Sequence, residues 1–257
     1  MKRIASADNP KYKSLVKLAQ NVRERKRRDK ALLDGVHLVA AYRDYCGKPE
    51  FIAVSDSGLK NLEIHVLLES LKPLEPIVLS DVLFKRLSTV KTPTGIIATI
   101  AKLEPTSSRQ NETCIMLEDI QDAGNLGSIL RSAAAAGVKE VFLSRDSVDA
   151  WSPRVLRASM GAHFLLNIYE NSDLVEIKRS FKGKVMTTTQ KASLSLFDVD
   201  LRGLVAFVFG NEGNGLSPEM LSAADEAIAI PMAHNIESLN VAAVAAICLF
   251  ERTRQLR

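Results

Sequence analysis

The sequence predicts an α/β protein of two domains, the second built on a parallel sheet. Short apolar runs alternate with helical periodicity along most of the 257-residue chain, the pattern of strands covered by helices. A polar stretch, EPTSSRQNE (Glu104–Glu112), holds no long apolar residue and interrupts the alternation as a linker does. In the second half, glycine-bearing turns follow apolar strands, where backbone can approach a ligand closely. The expected organisation is a domain over 1–105, a linker over 106–112 and a domain over 113–257.

In the first domain, Asn9–Lys30 carries Tyr12, Leu15, Val16, Ala19 and Val22 at helical spacing. Its end, VRERKRRDK, gathers Arg23, Arg25, Lys26, Arg27, Arg28 and Lys30. Strands are expected at Phe51–Val54, His65–Leu68, Ile77–Leu79 and Gly95–Ala101, with helices at Val36–Tyr45 and Asp81–Leu87. Ser80 suits the N-cap of the latter. In the second domain, strands are expected at Cys114–Glu118, Glu140–Leu143, Val185–Thr188, Val205–Phe209 and Ala227–Ile230. Helices are expected to begin near Asn125, Ser152, Asp173, Ser217 and Ser238. Ser217-Pro218-Glu219 is a strong start: Ser caps, Pro is pre-set for the first turn, and Glu meets the positive dipole end.

The net charge of +4 is unevenly spread. Residues 1–30 hold eleven Lys/Arg against three Asp/Glu, a balance of +8, which leaves −4 for the rest. A basic end on a slightly acidic body suits a polyanion contact, and equally suits a solvated helix face. Cys46, Cys114 and Cys248 are odd in number, far apart and without CxxC spacing, which reads as reduced thiols serving as buried small hydrophobes. The N-terminus has no apolar signal core, and the longest apolar run, Val241–Phe250, is too short to span a bilayer. A cytoplasmic protein without membrane contact is expected. His37, His65, His163 and His234 are scattered without ligand spacing, so no metal is expected.

Three blocks concentrate small polar groups, the first two of them beside glycines: QDAGNLGSILRSAAAAG (Gln121–Gly137), VFGNEGNGLSPEM (Val208–Met220) and IPMAHNIESLNVAAVAA (Ile230–Ala246). In the first, a strand leads through a glycine turn into a helix with Leu126, Ile129, Leu130 and Ala133 on its apolar face. Asn125 stands near its start and Arg131 six residues on, toward a similar side at a different height. Such a helix N-terminus favours anions, although Arg131 alone reads as a surface ion-pair former. In the second block, three glycines in six positions follow a strand. No Lys-Ser, Lys-Thr or GxGxxG accompanies them, so a P-loop is not indicated and a tight turn is the plain alternative. Glu212 there reads either as a hydroxyl-binding group or as an exposed acid before a helix. The third block opens with Ser238 and Asn240, natural helix-cap residues, and continues into a helix apolar almost all round, which belongs in a core or between subunits.

In this order and spacing, from roughly Thr113 to Arg257, the blocks resemble the SpoU/TrmH family of RNA ribose 2′-O-methyltransferases. LLDGVHLVAAY (Leu32–Tyr42) and VKTPTGIIATI (Val90–Ile100) likewise resemble the substrate-binding domain attached to many of them, with Asp34-Gly35 where relatives more often have Glu-Gly. The resemblance implies a C-terminal trefoil-knotted (SPOUT) methyltransferase domain that binds S-adenosyl-L-methionine and forms a homodimer, and a small N-terminal α/β RNA-binding domain. It implies Asn125, Arg131, Glu212, Ser238 and Asn240 as catalytic residues, with Ser238 and Asn240 facing ribose or Arg131 and Glu212 able to orient Arg131. Gly210, Ile230, Met232 and Leu239 fall where relatives hold the cofactor, largely through main-chain atoms. RNA is the implied partner, ribosomal RNA favoured slightly over transfer RNA, with Arg23, Arg25, Lys26, Arg27 and Arg28 as its contacts. Arg154, Arg157, Ser159 and His163, in WSPRVLRASMGAHF (Trp151–Phe164), serve RNA contact or packing. The other reading is a non-catalytic RNA-binding or ribosome-assembly protein that keeps the fold.

Overall fold

The computed structural model describes residues 1–106, 112–233 and 238–257. The chain divides into two units, Met1–Leu103 with Trp151–Phe164 and Glu104–Ala150 with Leu165–Arg257. Most of the linker expected over 106–112 lies outside the described residues.

The first unit runs β1 (Arg3–Ile4), α1 (Pro10–Gln20), α2 (Val22–Arg28), β2 (Lys30–Asp34), α3 (Val36–Cys46), β3 (Phe51–Ser55), α4 (Leu62–Ser70), β4 (Ile77–Leu79), α5 (Asp81–Leu87) and β5 (Ile96–Ala101). Its sheet has the order β1-β4-β3-β5-β2, with β5 antiparallel to both neighbours and the other pairs parallel. Tyr12, Leu15 and Leu18 of α1 and Leu83, Phe84 and Leu87 of α5 form one core cluster with Leu32, Ala53, Ile77 and Ile97 of the sheet. The Tyr12 hydroxyl donates to the Leu83 carbonyl at 3.1 Å and ties the two helices together.

The single helix expected over Asn9–Lys30 is two helices and the start of a strand. Asn21 is extended (φ −123°, ψ 114°), and its side-chain oxygen accepts from the Arg23 and Glu24 N–H groups at 2.8 and 3.3 Å. An Asn side chain competes with the helix for those donors and restarts it as a cap. Arg25 then turns inward, 5% exposed, and its Nη1 donates to the Leu18 and Ala19 carbonyls at 2.9 and 3.1 Å. These belong to the last turn of α1, where carbonyls lack helical partners. Arg25 is thus a buried cap and is corrected from the expected RNA contacts. Arg27 and Arg28 share Glu24, and Arg28 also reaches Ser14. Arg23 and Lys26 remain exposed.

His65–Leu68, expected as a strand, lies inside α4. Asn61 caps that helix by accepting from Glu63 and Ile64, and Ile64, Leu67 and Leu71 are buried at helical spacing. A short apolar run alone does not separate the two choices. The two segments singled out in this unit meet. Asp34 is buried and its Oδ2 accepts from the Ser88 hydroxyl at 2.7 Å and the Thr89 N–H at 3.0 Å, while the Gly35 N–H donates to Ile96 O. Gly95 has φ +103°, and a Cβ there would stand 2.7 Å from Gly58 Cα, so a side chain is excluded on both counts.

The second part of the chain runs β6 (Cys114–Leu117), α6 (Ala123–Ala135), β7 (Glu140–Ser144), α7 (Pro153–Ser159), β8 (Asn167–Ser172), α8 (Leu174–Ser180), β9 (Lys184–Thr188), β10 (Leu194–Ser195), β11 (Val205–Phe209), α9 (Pro218–Ala223), β12 (Glu226–Ala229) and α10 (Val241–Gln255). Although expected within the domain over 113–257, α7 packs on β2 in the first unit. There Ser159 and His163 are buried and bonded to each other at 2.7 Å, so both serve packing. Arg154 and Arg157 are exposed. Of the cysteines, Cys46 is exposed, contrary to expectation. Cys114 and Cys248 are buried, and burial pushes both thiols up to about 12.

The sheet of the second unit is wholly parallel, in the order β10-β12-β9-β11-β6-β7-β8. The polar strand β8 (NIYENS) sits at its edge, which is why no apolar run announced it. β6 and β11 are neighbours with Leu117 opposite Phe209. From β6 the chain proceeds toward β7 on one side, and from β11 toward β12 on the other. Connections that part in this way open a crevice at the carboxyl ends of the two strands. Among the described residues, no helix is long and apolar enough to cross a membrane.

Replacing Arg25 with Met removes the bonds to both α1 carbonyls and is expected to cost about 1–3 kcal/mol in urea unfolding. The neighbouring Lys26→Ala is expected to stay within about 0.5 kcal/mol. Equal effects would contradict the capping role.

Candidate active site

The loops after β6 and β11 meet at that crevice and are bound to each other. Glu118, directly after β6, accepts from the Ser217 N–H at 2.8 Å and hydroxyl at 2.7 Å, and so fixes the start of α9. Asn211 uses its side-chain oxygen to accept from Gly213 and Asn214 N–H at 2.8 and 2.9 Å, folding its own loop, and donates to the Asp119 carbonyl at 2.9 Å. Asp119 is left-handed at φ 55°. Glu118 and Asp119 were not singled out by sequence reasoning. Their signal was modest, two acids immediately after an apolar strand and before the first glycine block.

Gly210 has a structural reason to lack a side chain. Asn211 and Gly215 exchange backbone hydrogen bonds at 3.0 Å, closing the loop back over residue 210. A Cβ on Gly210 would meet Gly215 C and O at 2.5 Å and Leu216 N at 2.6 Å.

The centre of the site is a chain of three side chains. Glu212 accepts at Oε2 from the Gln121 N–H and at Oε1 from the Asp122 N–H, both at 3.1 Å, and at Oε1 also from Asn125 Nδ2 at 3.0 Å. Asn125 Oδ1 accepts from Asn240 Nδ2 at 2.8 Å. Asn240 Oδ1 caps α10, accepting from Ala242 and Ala243 N–H at 2.9 and 3.3 Å. The chemistry permits one polarity only. An ionised carboxylate can only accept, so Asn125 must turn its NH₂ to Glu212 and its oxygen to Asn240. Asn240 must then give its NH₂ to Asn125, which leaves its oxygen for the helix, where an acceptor is required.

Burial raises the Glu212 carboxyl, but the bonds from Asn125 and from the Gln121, Glu212 and Asp122 backbone outweigh it and hold the group below its ordinary value of 4.5. It also sits at the N-terminal end of α6, where a negative charge is favoured. Glu212 therefore positions Asn125 and the entry to α6, and among the described residues it makes no hydrogen bond to Arg131, which it had been expected to orient.

Arg131 lies on the exposed face of α6, with Gly124 and Ser128. Six residues turn a helix through roughly 240°, so Arg131 and Asn125 leave α6 in different directions rather than toward a similar side. Among the described residues it has no side-chain hydrogen bond or ion pair. Ser238 and Leu239 are exposed just before α10, Leu239 by 37%. Ser238 likewise shows no bond among the described residues, and the helix cap is Asn240. Ile230 and Met232 are half-buried, following β12. His234 lies outside the described residues, and among the others no three His, Cys, Asp or Glu gather as a metal site.

A parallel α/β domain with its polar groups and glycine loop gathered at a topological switch point defines a ligand-binding domain of the enzyme type. Residues 112–250 match the SpoU rRNA methylase family, and residues 9–98 match the MRM3-like substrate binding domain. The 23S rRNA (guanosine(2553)-2′-O)-methyltransferase RlmP of Bacillus subtilis is 29% identical across 97% of this chain and 98% of its own. A crystal structure described as an RNA 2′-O ribose methyltransferase is 30% identical, with 98% of each chain covered and a TM-score of 0.84. An AdoMet-bound rRNA methyltransferase from Sinorhizobium meliloti is 25% identical over 100% of this chain and 98% of its own, with a TM-score of 0.83.

The chain belongs to the SpoU rRNA methylase family, and it is an RNA methyltransferase of the ribose 2′-O class.

Because the folded Glu212 carboxyl lies below its ordinary value, its stabilisation is fully present above pH 4.5 and is lost as pH falls through the folded value. Thermal melts of wild type and Glu212→Gln are therefore expected to differ most near neutrality and to converge on acidification. A constant difference down to the acid limit would contradict the bonded carboxylate.

Proposed function

We propose that the chain transfers the methyl group of S-adenosyl-L-methionine to a ribose 2′-hydroxyl of structured ribosomal RNA. The observation that carries this is the carboxylate-to-asparagine chain, which joins the three sequence blocks at one switch point and leaves Arg131 exposed on the adjoining helix. The names of relatives such as RlmP support ribosomal over transfer RNA.

The donors present suit the cofactor. The backbone-rich loop 210–216 offers main-chain groups, and Ile230, Met232 and Leu239 offer partly uncovered apolar surface at the same carboxyl edge of the sheet. Gly210, Ile230, Met232 and Leu239 are the residues that would hold it. When bound, the cofactor supplies an electrophilic methyl on a sulfonium centre. A ribose hydroxyl is a poor nucleophile, so the charge that develops on its oxygen must be stabilised. Arg131 supplies a guanidinium that keeps its proton; it stabilises the oxyanion and clamps a neighbouring phosphate rather than removing the proton. The 2′-proton passes to an RNA phosphate oxygen. Glu212 is committed to three donors and serves by holding Asn125 and, through it, Asn240 and the entry to α10. Ser238 hydrogen-bonds ribose.

The trefoil knot and a homodimer through the C-terminal domain belong to the same reading. Support for the dimer comes from α10, which buries Ala245, Cys248 and Leu249 but leaves Phe250 48% exposed; a second copy covering that side would remove the apolar surface from water. A cytoplasmic location suits the RNA substrate.

The test uses ribosomal RNA from cells lacking the gene, purified protein and methyl-labelled cofactor, with the product located by nuclease mapping and mass spectrometry. Label is expected on one ribose, with Arg131→Ala lowering turnover by about 10²–10³-fold and Arg131→Lys well below wild type. Near-wild-type turnover of Arg131→Lys would remove the need for a forked guanidinium. Cofactor binding without transfer to any RNA would favour an assembly factor that retains the fold.

A further inference from the structure

We infer that the outer surface of α1 and α5 is the phosphate-contacting surface of the first unit, with the RNA backbone as its partner. The inference rests on the RNA reading above and deepens it, because it relocates the contact from the basic run at residues 23–28 to a surface built by two helices far apart in sequence. That run is largely spent internally: Arg25 caps α1, and Arg27 and Arg28 share Glu24.

The surface is assembled by packing. α1 and α5 cover the same core cluster, the Tyr12 hydroxyl bonds Leu83 O, and the Arg86 charge acts on the Tyr12 hydroxyl across the helix pair. With Tyr12, Leu15, Leu18 and Ala19 buried, helical spacing turns Lys13 and Lys17 outward one turn apart. With Leu83, Phe84 and Leu87 buried, Lys85 points outward and Arg86 stands at the flank. All four are exposed.

Charge balance distinguishes this side from the rest of the unit. α1 contains no acidic residue. The single acid of α5, Asp81, is occupied by the Ser57 N–H and hydroxyl at 2.9 and 2.7 Å. Lys17, Lys85 and Arg86 have no ion pair among the described residues, and Lys13 meets only the exposed Asp8. On and beside α3 and α4, by contrast, Arg43 pairs with Asp44 and Lys72 with Glu69. Uncompensated cations on a rigid two-helix surface form the electrostatic footprint of a phosphate backbone. Asp34 reinforces it from behind, holding Ser88 and Thr89 at the end of α5.

The test measures binding of the full chain to a labelled stem-loop RNA across a salt series. The variants are Lys17→Gln/Lys85→Gln/Arg86→Gln and the control Arg43→Gln/Lys48→Gln/Lys72→Gln, each first shown by thermal melt to be folded. The first variant is expected to flatten the slope of log affinity against log salt by about 2–3, and the control to leave it near wild type. Equal slopes in wild type and the first variant, or an equal loss in the control, would overturn the inference. Because binding is read directly, it is decided separately from the reaction. Wild-type protein that binds with this pattern yet labels no ribose would sink the methyl-transfer reading and leave the surface standing.

Discussion

The active-site architecture depends on one directional constraint, that Glu212 can only accept hydrogen bonds. From it follow the orientation of Asn125, then that of Asn240, and finally the cap on α10. Reading from the other end gives the same answer, since the N-terminus of α10 demands an acceptor. Two independent requirements thus agree along a chain of three side chains. Such a chain does more than hold loops together. It places the entries of α6 and α10 and the 210–216 loop in a fixed relation, as a site that must align a hydroxyl with a methyl group requires.

The surrounding elements explain why so few side chains suffice. β6 and β11 are neighbours in a parallel sheet, so their following loops are brought together by the ladder itself. Glu118 and Asn211 then lock those loops with bonds to Ser217 and Asp119. Gly210 allows the closure because a Cβ would collide with Gly215 backbone. Arg131, exposed on α6, supplies a charge beside this frame, carried on a helix whose start the frame secures.

Much of this was legible in the sequence where local chemistry decides. Ser80, Ser217 and Asn240 cap helices as their types suggest, and the apolar strand Val205–Phe209 falls where expected. Failures came where tertiary context decides. His65–Leu68 has strand-like apolarity, but the Asn61 cap and burial of Ile64 and Leu67 make it helix. Arg25 looks like any cation of a basic run until the end of α1 is seen to need a donor. Trp151–Phe164 is contiguous with the second domain yet packs in the first unit, which no periodicity reveals. The relation between Asn125 and Glu212, 87 positions apart, depends on strand order, and strand order was beyond the reach of spacing.

The most direct measurement of the central claim is a double-mutant cycle on Asn125→Ala and Asn240→Ala, read by urea unfolding and by calorimetric titration of S-adenosyl-L-methionine. If the two amides act as consecutive links of one polarity-fixed chain, the double variant will cost less than the sum of the singles, with a coupling of about 0.5–3 kcal/mol. Strict additivity in both readouts would show that the two asparagines act independently, and would contradict the account.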